Sequence, residues 1–132
     1  MSCFWNAIYK SMSNEELASI GLTRRTNGET DLIDALKKHN RACICVKWMQ
    51  KPLSRNQIRE TYQWINNYSE SGRDGHLTST CDPFLCLLCE LFGYKIIHSY
   101  RKNKITYSNT TLNNRYLNFE SNNSHFKQTP LC

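Results

Sequence analysis

A cysteine near one end of the chain and a histidine near the other have the residue types of a nucleophile and its base. Cys3 precedes Phe4 and Trp5 in the opening run MSCFWNAIYK, and His125 lies in the late run SNNSHF. A cysteine in the first turn of a helix gains thiolate character from the helix dipole, and the nearby N–H groups can stabilise an oxyanion. The pair therefore predicts attack of a thiolate on a carbonyl carbon, with imidazole as the general base.

Both residues also have an ordinary structural interpretation. A free cysteine packs as a small hydrophobic side chain, so Cys3 would then be a core thiol, and His125 would be a loop histidine. Spacing alone does not choose between the two interpretations, because such residues are brought together by the fold.

The other cysteines and histidines are weaker candidates for chemistry. Cys86 and Cys89 lie among leucines and phenylalanines, so we expect them to be buried thiols. Cys43-x-Cys45 lacks the two-residue spacing of a zinc knuckle. His98 alternates with apolar residues in a predicted strand and is expected to be a sheet residue. We therefore predict no metal ion and no cofactor.

Periodicity and capping residues predict the helices that would position the pair. The buried run CDPFLCLLCELFG is the strongest helical signal, with Asp82 at the N-cap, Pro83 at the first helical position and Gly93 at the exit. Four other helices are predicted. The first begins at Cys3 and has apolar residues at Phe4, Trp5, Ala7, Ile8 and Met12, and the second is capped by Ser13 with Glu16 and ends at Gly21. The third is capped by Thr30 and ends near His39, and the fourth is capped by Ser54 and has Ile58, Tyr62 and Ile65 on its inner face.

Strand signals concentrate in the last third of the chain. YKIIHSY and KITYS flank RKN as a hairpin, and RYLNFE alternates as a third strand. ACICVKWM is ambiguous between a strand and a buried helical turn, and Pro52 is expected to end it. With helices first and a small antiparallel sheet after them, the pattern predicts one α+β domain over residues 1–132.

Composition and charge narrow the class of protein. The 132 residues are 39% hydrophobic with a formal net charge of +6, as expected of a folded domain of modest core. No run has the length and apolarity of a membrane span, and no signal peptide is evident, so we expect a reducing, cytoplasmic compartment. From Tyr94 onward the chain has six Lys and Arg but a single acidic residue, Glu120. A solvated turn is the simplest explanation of the cluster RKNK.

The two ends of the chain together resemble the ovarian-tumour (OTU) family of cysteine proteases, most closely its compact viral members. SCFWNAI is similar to the family's nucleophile motif, and LNFESNNSHF is similar to its closing strand, polar turn, histidine and aromatic residue. The order of a Gly-containing loop (SGRDGH), a buried helix and a strand between them also fits. The resemblance spans nearly the whole chain and implies a papain-like, OTU-like fold.

The resemblance also implies an activity, a site and partners. The chain would cleave peptide or isopeptide bonds after the diglycine tail of ubiquitin or a ubiquitin-like modifier, or would process a viral polyprotein in the host cytoplasm. The implied site comprises Cys3 as nucleophile, His125 as base, Ser2 in the oxyanion loop, Asn122 or Asn123 orienting the imidazole, and a substrate groove formed by Asp74, Gly75, His76 and Phe126.

Two departures from the family pattern leave other functions open. Only Met1 and Ser2 precede Cys3, where the family usually has Asp-Gly-x, so the chain resembles a version shortened at its N-terminus. Lys127 stands where an Asp or Asn often follows the histidine. One alternative is therefore a catalytically impaired domain that binds ubiquitin or another protein. Another, less favoured, is a basic nucleic-acid binder using the residues of the hairpin, namely Tyr100, Arg101, Lys102, Lys104 and Tyr107.

Overall fold

A computed structural model of the chain describes residues 3–24, 28–68, 83–100, 102–121 and 126–128, with the backbone alone described at residues 3 and 126–128. Along these residues, three helices are followed by two strands, two more helices and four strands. In chain order they are α1 (Cys3–Ser11), α2 (Asn14–Ser19), α3 (Glu29–Lys38), β1 (Val46–Trp48), β2 (Lys51–Pro52), α4 (Arg55–Asn66), α5 (Pro83–Phe92), β3 (Tyr94–Tyr100), β4 (Asn103–Asn109), β5 (Arg115–Ser121) and β6 (Phe126–Gln128). The α+β class expected from the sequence is confirmed.

The strands form one mixed sheet in the order β2-β1-β4-β3-β5-β6. The predicted hairpin is confirmed, since β3 and β4 pair antiparallel with Ile96 opposite Tyr107. The prediction of a purely antiparallel sheet is wrong, because β5 pairs parallel to β3, with Ile96 opposite Leu117. Residues 110–114, which we call the crossing segment, therefore pass the start of β3, and the chain continues as β5 on the side of β3 opposite β4.

Gly93 is the residue that allows this crossing. Its φ of +70° lies in the left-handed region, which ends α5 as the sequence predicts. The crossing segment then passes directly over it: the Asn114 backbone N–H donates to the Gly93 carbonyl at 2.9 Å, and the Asn114 side chain donates to the Phe92 carbonyl at 2.9 Å. A β-carbon at Gly93 would lie 2.6 Å from Cβ of Leu112. A side chain here would collide with the crossing segment.

Helix α5 lies at the centre of the core. It is apolar nearly all round, and its residues from Phe84 to Glu90 are buried. It packs on β1, β3 and β4 with one side and on α4 with another. In β3, β4 and β5, all of the buried residues are at inward positions, which face this layer, and no outward position of these three strands is buried. No helix among the described residues has both the length and the apolarity that crossing a membrane requires.

Two of the predicted helix starts are confirmed in detail. The hydroxyl of Ser13 accepts the backbone N–H of Glu16, whose carboxylate in turn accepts the backbone N–H of Ser13. Ser54 and Gln57 make the same reciprocal pair at α4. The start predicted at Thr30 is wrong, because α3 already begins at Glu29.

Three smaller predictions are corrected by the packing. Tyr62, expected on the inner face of α4, is 40% exposed, and Thr61 is buried in its place. Only Val46–Trp48 of the ambiguous run forms a strand, and it precedes α4, so the helices do not all come before the sheet. Pro52 does not end that strand but lies in β2, an edge strand, where a missing N–H is tolerated.

Candidate functional site

Helix α1 begins at Cys3, as the sequence predicts, and its first turn is fixed by aromatic packing. Phe4 and Trp5 are fully buried. The Trp5 ring meets the Phe84 ring edge-on, with centroids 4.7 Å apart, and its indole N–H donates to the hydroxyl of Tyr68 at 3.4 Å. Since α5 and Tyr68, the second residue after the end of α4, both contact Trp5, the start of α1 is anchored in the core.

The fold brings the other end of the chain to the same helix. Strand β6 begins at Phe126, the residue after His125, and lies beside α1. It is the outermost strand of the sheet and pairs antiparallel with β5, with Phe126 opposite Ser121. The two segments that would supply nucleophile and base are therefore neighbours.

Most of the other predicted site residues lie outside the described part of the chain. They are Ser2, Asp74, Gly75, His76, Asn122, Asn123 and His125, and the N-cap predicted at Asp82 is outside it as well. Of the predicted groove residues, Phe126 is described as part of β6. The backbone of α1 and β6 is thus what the structure contributes to the geometry of this site.

A buried hydrogen bond supports the end of β5, the strand that pairs with β6. His98 is fully buried on β3, and its Nε2 lies 2.5 Å from the hydroxyl oxygen of Ser121. Ser121 is also the residue opposite Phe126. The prediction that His98 is a packed sheet residue is confirmed, and the contact joins the end of β5 to β3.

At its other end, α1 is held by a group of ionic and hydrogen-bond contacts centred on Glu16. The Glu16 carboxylate accepts the Tyr94 hydroxyl at 2.6 Å, an Arg115 N–H at 2.6 Å and the Ser13 backbone N–H at 2.7 Å. Arg115 also donates to the Ser11 carbonyl at 2.8 Å. Burial, and then the hydrogen bond to Glu16, raise the pKa of Tyr94. Sequence reasoning found Glu16 only as a capping residue, because its partners at positions 94 and 115 leave no local signal.

The buried carboxylate of Glu90 was also not recognised from the sequence. It lies on the central helix α5 and accepts the backbone N–H of Cys45 at 2.9 Å. The Arg41 guanidinium lies 3.4 Å from its other oxygen and donates to its backbone carbonyl at 3.0 Å. These contacts tether residues 41–45 to the core, so Glu90 has a structural role. The signal in the sequence for a buried, partnered carboxylate was that Glu90 is the one acidic residue of the apolar stretch Pro83–Phe92.

The cysteines of the core behave as predicted. Cys43, Cys86 and Cys89 are buried, and Cys45 is partly exposed. Among residues 3–24, 28–68, 83–100, 102–121 and 126–128, no three His, Cys, Asp or Glu side chains are grouped as metal ligands would be. The hairpin expected of a nucleic-acid binder is corrected in one respect: Tyr107 is fully buried and faces the core, so it is not available to stack on a base.

An open depression of about 400 Å³ lies along the second half of α4, lined by Glu60, Gln63, Trp64, Asn67 and Tyr68. Tyr68 thus contributes both to this depression and to the aromatic packing around Trp5. In the sequence, Tyr68 also leads into the segment that contains the predicted substrate loop SGRDGH.

Comparison of the chain with models of protein families, with curated protein sequences and with solved structures gives no match.

Proposed function

We propose that the chain is a cysteine peptidase of the OTU type, which cleaves the bond after the diglycine tail of ubiquitin or a related modifier. The observation that supports this most is the position of α1, whose first residue is Cys3, beside β6, which starts directly after His125. A thiol and an imidazole encoded at opposite ends of a chain act together only if the fold joins those ends.

The start of α1 suits the nucleophile chemically. The first N–H groups of a helix have no partner within it, and the helix dipole is positive there, which favours a thiolate over a thiol. The same N–H groups stabilise the negative oxygen that forms when the carbonyl is attacked. The burial of Phe4 and Trp5 keeps this end of the helix from moving during the reaction.

The reaction then follows with a balanced transfer of protons. His125 takes the proton of Cys3, the sulfur bonds to the carbonyl carbon of the terminal glycine, and the imidazolium returns the proton to the departing amine. A thioester remains, which water hydrolyses with His125 again as base. A narrow groove formed by Asp74, Gly75 and His76 would admit glycine and exclude residues with a side chain.

The test is covalent capture by ubiquitin with an electrophilic C-terminus. We expect the wild-type chain to form an adduct that is larger by the mass of one modifier, and Cys3→Ala to form none. Cys45→Ala is the matched control, because Cys45 is a partly exposed thiol on another part of the fold. It should be captured like the wild type.

A second variant separates catalysis from simple thiol exposure. His125→Asn should slow capture by a factor of roughly 100 or more, because the thiol loses its general base. Capture lost in Cys45→Ala and kept in Cys3→Ala would refute the proposal. Absence of any adduct, with ubiquitin still bound in a titration, would refute the enzyme in favour of the binding domain.

A further inference from the structure

The outward side of the sheet is an open polar surface that the proposed peptidase site does not use. Along β3, β4 and β5, burial alternates, and the inward residues pack on the core while the outward ones remain partly or fully exposed. We call this side the outer face and define it by Lys47, Lys95, Lys104, Tyr116, Asn118 and Glu120.

The register places these residues in rows across the strands. Lys95 on β3 is directly opposite Tyr116 on β5, and Lys47 on β1 is opposite Ser108 on β4. Lys104 on β4 is opposite Ser99, which is opposite Glu120 on β5. With strands about 4.8 Å apart, Lys47 and Tyr116 lie roughly 14 Å apart, and Lys104 lies at a similar distance from Lys95 along the strands. The three lysines therefore surround the middle of the face.

The charge of the outer face is positive. Its three lysines are opposed by one carboxylate, Glu120, and the ion pairs found among the described residues use Arg41 and Arg115. Lys104 is exposed, and Lys47 and Lys95 are partly exposed. A solvent-accessible ammonium group without a carboxylate partner is a suitable contact for a phosphate. The outer face is thus complementary to a chain of anions rather than to a neutral surface.

Tyr116 adds a planar group to this charge. Its side chain is 41% exposed, and the Lys95 ammonium lies 5.3 Å from the centre of its ring. Polar side chains follow on the same face, with Asn118 two residues further along β5 and next to Ile97 in register. An aromatic ring on an open sheet, flanked by lysines and amides, is the arrangement by which sheet surfaces stack and read unpaired bases.

We infer that the outer face binds single-stranded nucleic acid, with Tyr116 stacking on a base and Lys47, Lys95 and Lys104 contacting phosphates. An acidic protein would be attracted by the same lysines, but a flat ring beside lysines on an open sheet is suited to stacking on a planar base, so the ring favours a nucleic acid. The binding surface differs from the hairpin considered from the sequence, since Tyr107 points inward. It is independent of Cys3 and His125.

The experiment is fluorescence anisotropy of labelled oligo-U and oligo-dT mixed with the full chain, repeated over a series of salt concentrations. Each phosphate contact to a single strand contributes about −0.7 to the slope of log K against log salt. We therefore expect a slope near −2, from three contacts. Replacing both Lys47 and Lys95 with alanine should reduce this slope to about −0.7. The variant Lys38→Ala/Arg59→Ala removes the same charge from exposed positions on α3 and α4 and should keep the slope.

The ring is tested separately from the charge. Tyr116→Ala should weaken binding roughly tenfold and Tyr116→Phe should not, because stacking needs the ring and not the hydroxyl. Tyr62→Ala is the matched control, since Tyr62 is exposed to almost the same extent, 40% against 41%, but lies on α4. Cys3→Ala should bind normally, which separates this surface from the peptidase.

Three results would overturn the inference. The first is the absence of saturable binding at low salt. The second is an equal loss of binding in the control variants, which would place any contact elsewhere. The third is competition by poly-glutamate as effective as that by unlabelled oligonucleotide, which would identify an acidic protein as the better ligand.

Discussion

The hydroxyl of Tyr94 makes the stability of the protein depend on alkaline pH. Burial is the main cause that raises its pKa above the ordinary value of 10.0, followed by its hydrogen bond to Glu16 and the charge of that carboxylate. The folded state therefore holds the tyrosine proton more tightly than the unfolded chain does. The stability that this provides is fully present below pH 10.0 and is lost as the pH rises above that value.

We expect Tyr94→Phe to remove part of this alkaline loss. Above about pH 10 the wild-type free energy of unfolding should gain a slope from this residue of up to about −1.4 kcal/mol per pH unit, which the variant lacks. At neutral pH the variant should be less stable by about 1 kcal/mol, because Glu16 loses a donor. Urea unfolding from about pH 8 to 11 measures both effects.

The control for this prediction is Tyr116→Phe, which removes a hydroxyl from a residue that is 41% exposed. Its pH dependence should run parallel to that of the wild type. An unchanged alkaline slope in Tyr94→Phe would show that the hydroxyl ionises equally easily in the folded and unfolded states, contrary to its buried position.

Between elements, the junction of α5 and β3 depends on the missing side chain of Gly93. Alanine there would have to adopt a φ of +70° and would bring its β-carbon to 2.6 Å from Leu112 and 2.8 Å from Asn114. We expect Gly93→Ala to lower the free energy of unfolding by about 3 kcal/mol, from backbone strain and displacement of the crossing segment together. Chemical denaturation measures the loss.

Gly21→Ala provides the comparison. Gly21 also has a positive φ, +84°, but a β-carbon there would meet nothing within 4 Å. Its replacement should cost only the backbone strain, about 1 kcal/mol. Equal losses in the two variants would mean that the segment over Gly93 adapts freely, and that the crossing is not held by close contact.

The junction of α5 and β3 shows which features of the fold could be predicted from the sequence and which could not. Gly93 was expected to end α5, since glycine after an apolar helical run is a local signal. Its second role is to leave room for residues 110–114. This role depends on β5 lying parallel beside β3, and no local pattern shows that these two strands are neighbours. The capping boxes at Ser13 and Ser54 and the β3–β4 hairpin were predictable because each forms within a short stretch of sequence. The parallel pairing of β5 with β3 was not, because no local signal marks it.

The candidate site likewise has some features that local sequence predicts and others that it does not. Cys3 at a helix start was predictable from apolar spacing, and the buried thiols of α5 from their neighbours. The contact between Glu16 and Arg115 joins residues 99 apart, and His98 meets Ser121 across two strands. Both arise from tertiary packing, which the composition of either segment alone does not encode. The exposure of Tyr62 also depends on which side of α4 faces α5.

At the scale of the whole molecule, three tryptophans sample different layers of the fold. Trp5 on α1 and Trp64 on α4 lie in the helical layer around Phe84, while Trp48 lies on β1 of the sheet. Helix α5 packs on both layers, because it contacts α4 on one side and β1, β3 and β4 on the other. A helix that is buried in both directions should make helices and sheet unfold together.

We therefore expect a single cooperative transition, as would follow from the single domain predicted from the sequence. In Trp48→Phe the remaining fluorescence comes from Trp5 and Trp64 in the helical layer, and in Trp64→Phe it comes from Trp5 and Trp48. In each variant, the midpoint of urea unfolding measured by fluorescence should coincide with the midpoint measured by far-UV circular dichroism. Comparing the probes within one variant removes any effect of the substitution on stability. If the signal containing Trp48 changed at a different urea concentration from the dichroism, the sheet would unfold apart from the helices. The contact between α1 and β6, on which the proposed joining of Cys3 and His125 depends, would then be lost when the sheet unfolds, before the helices do.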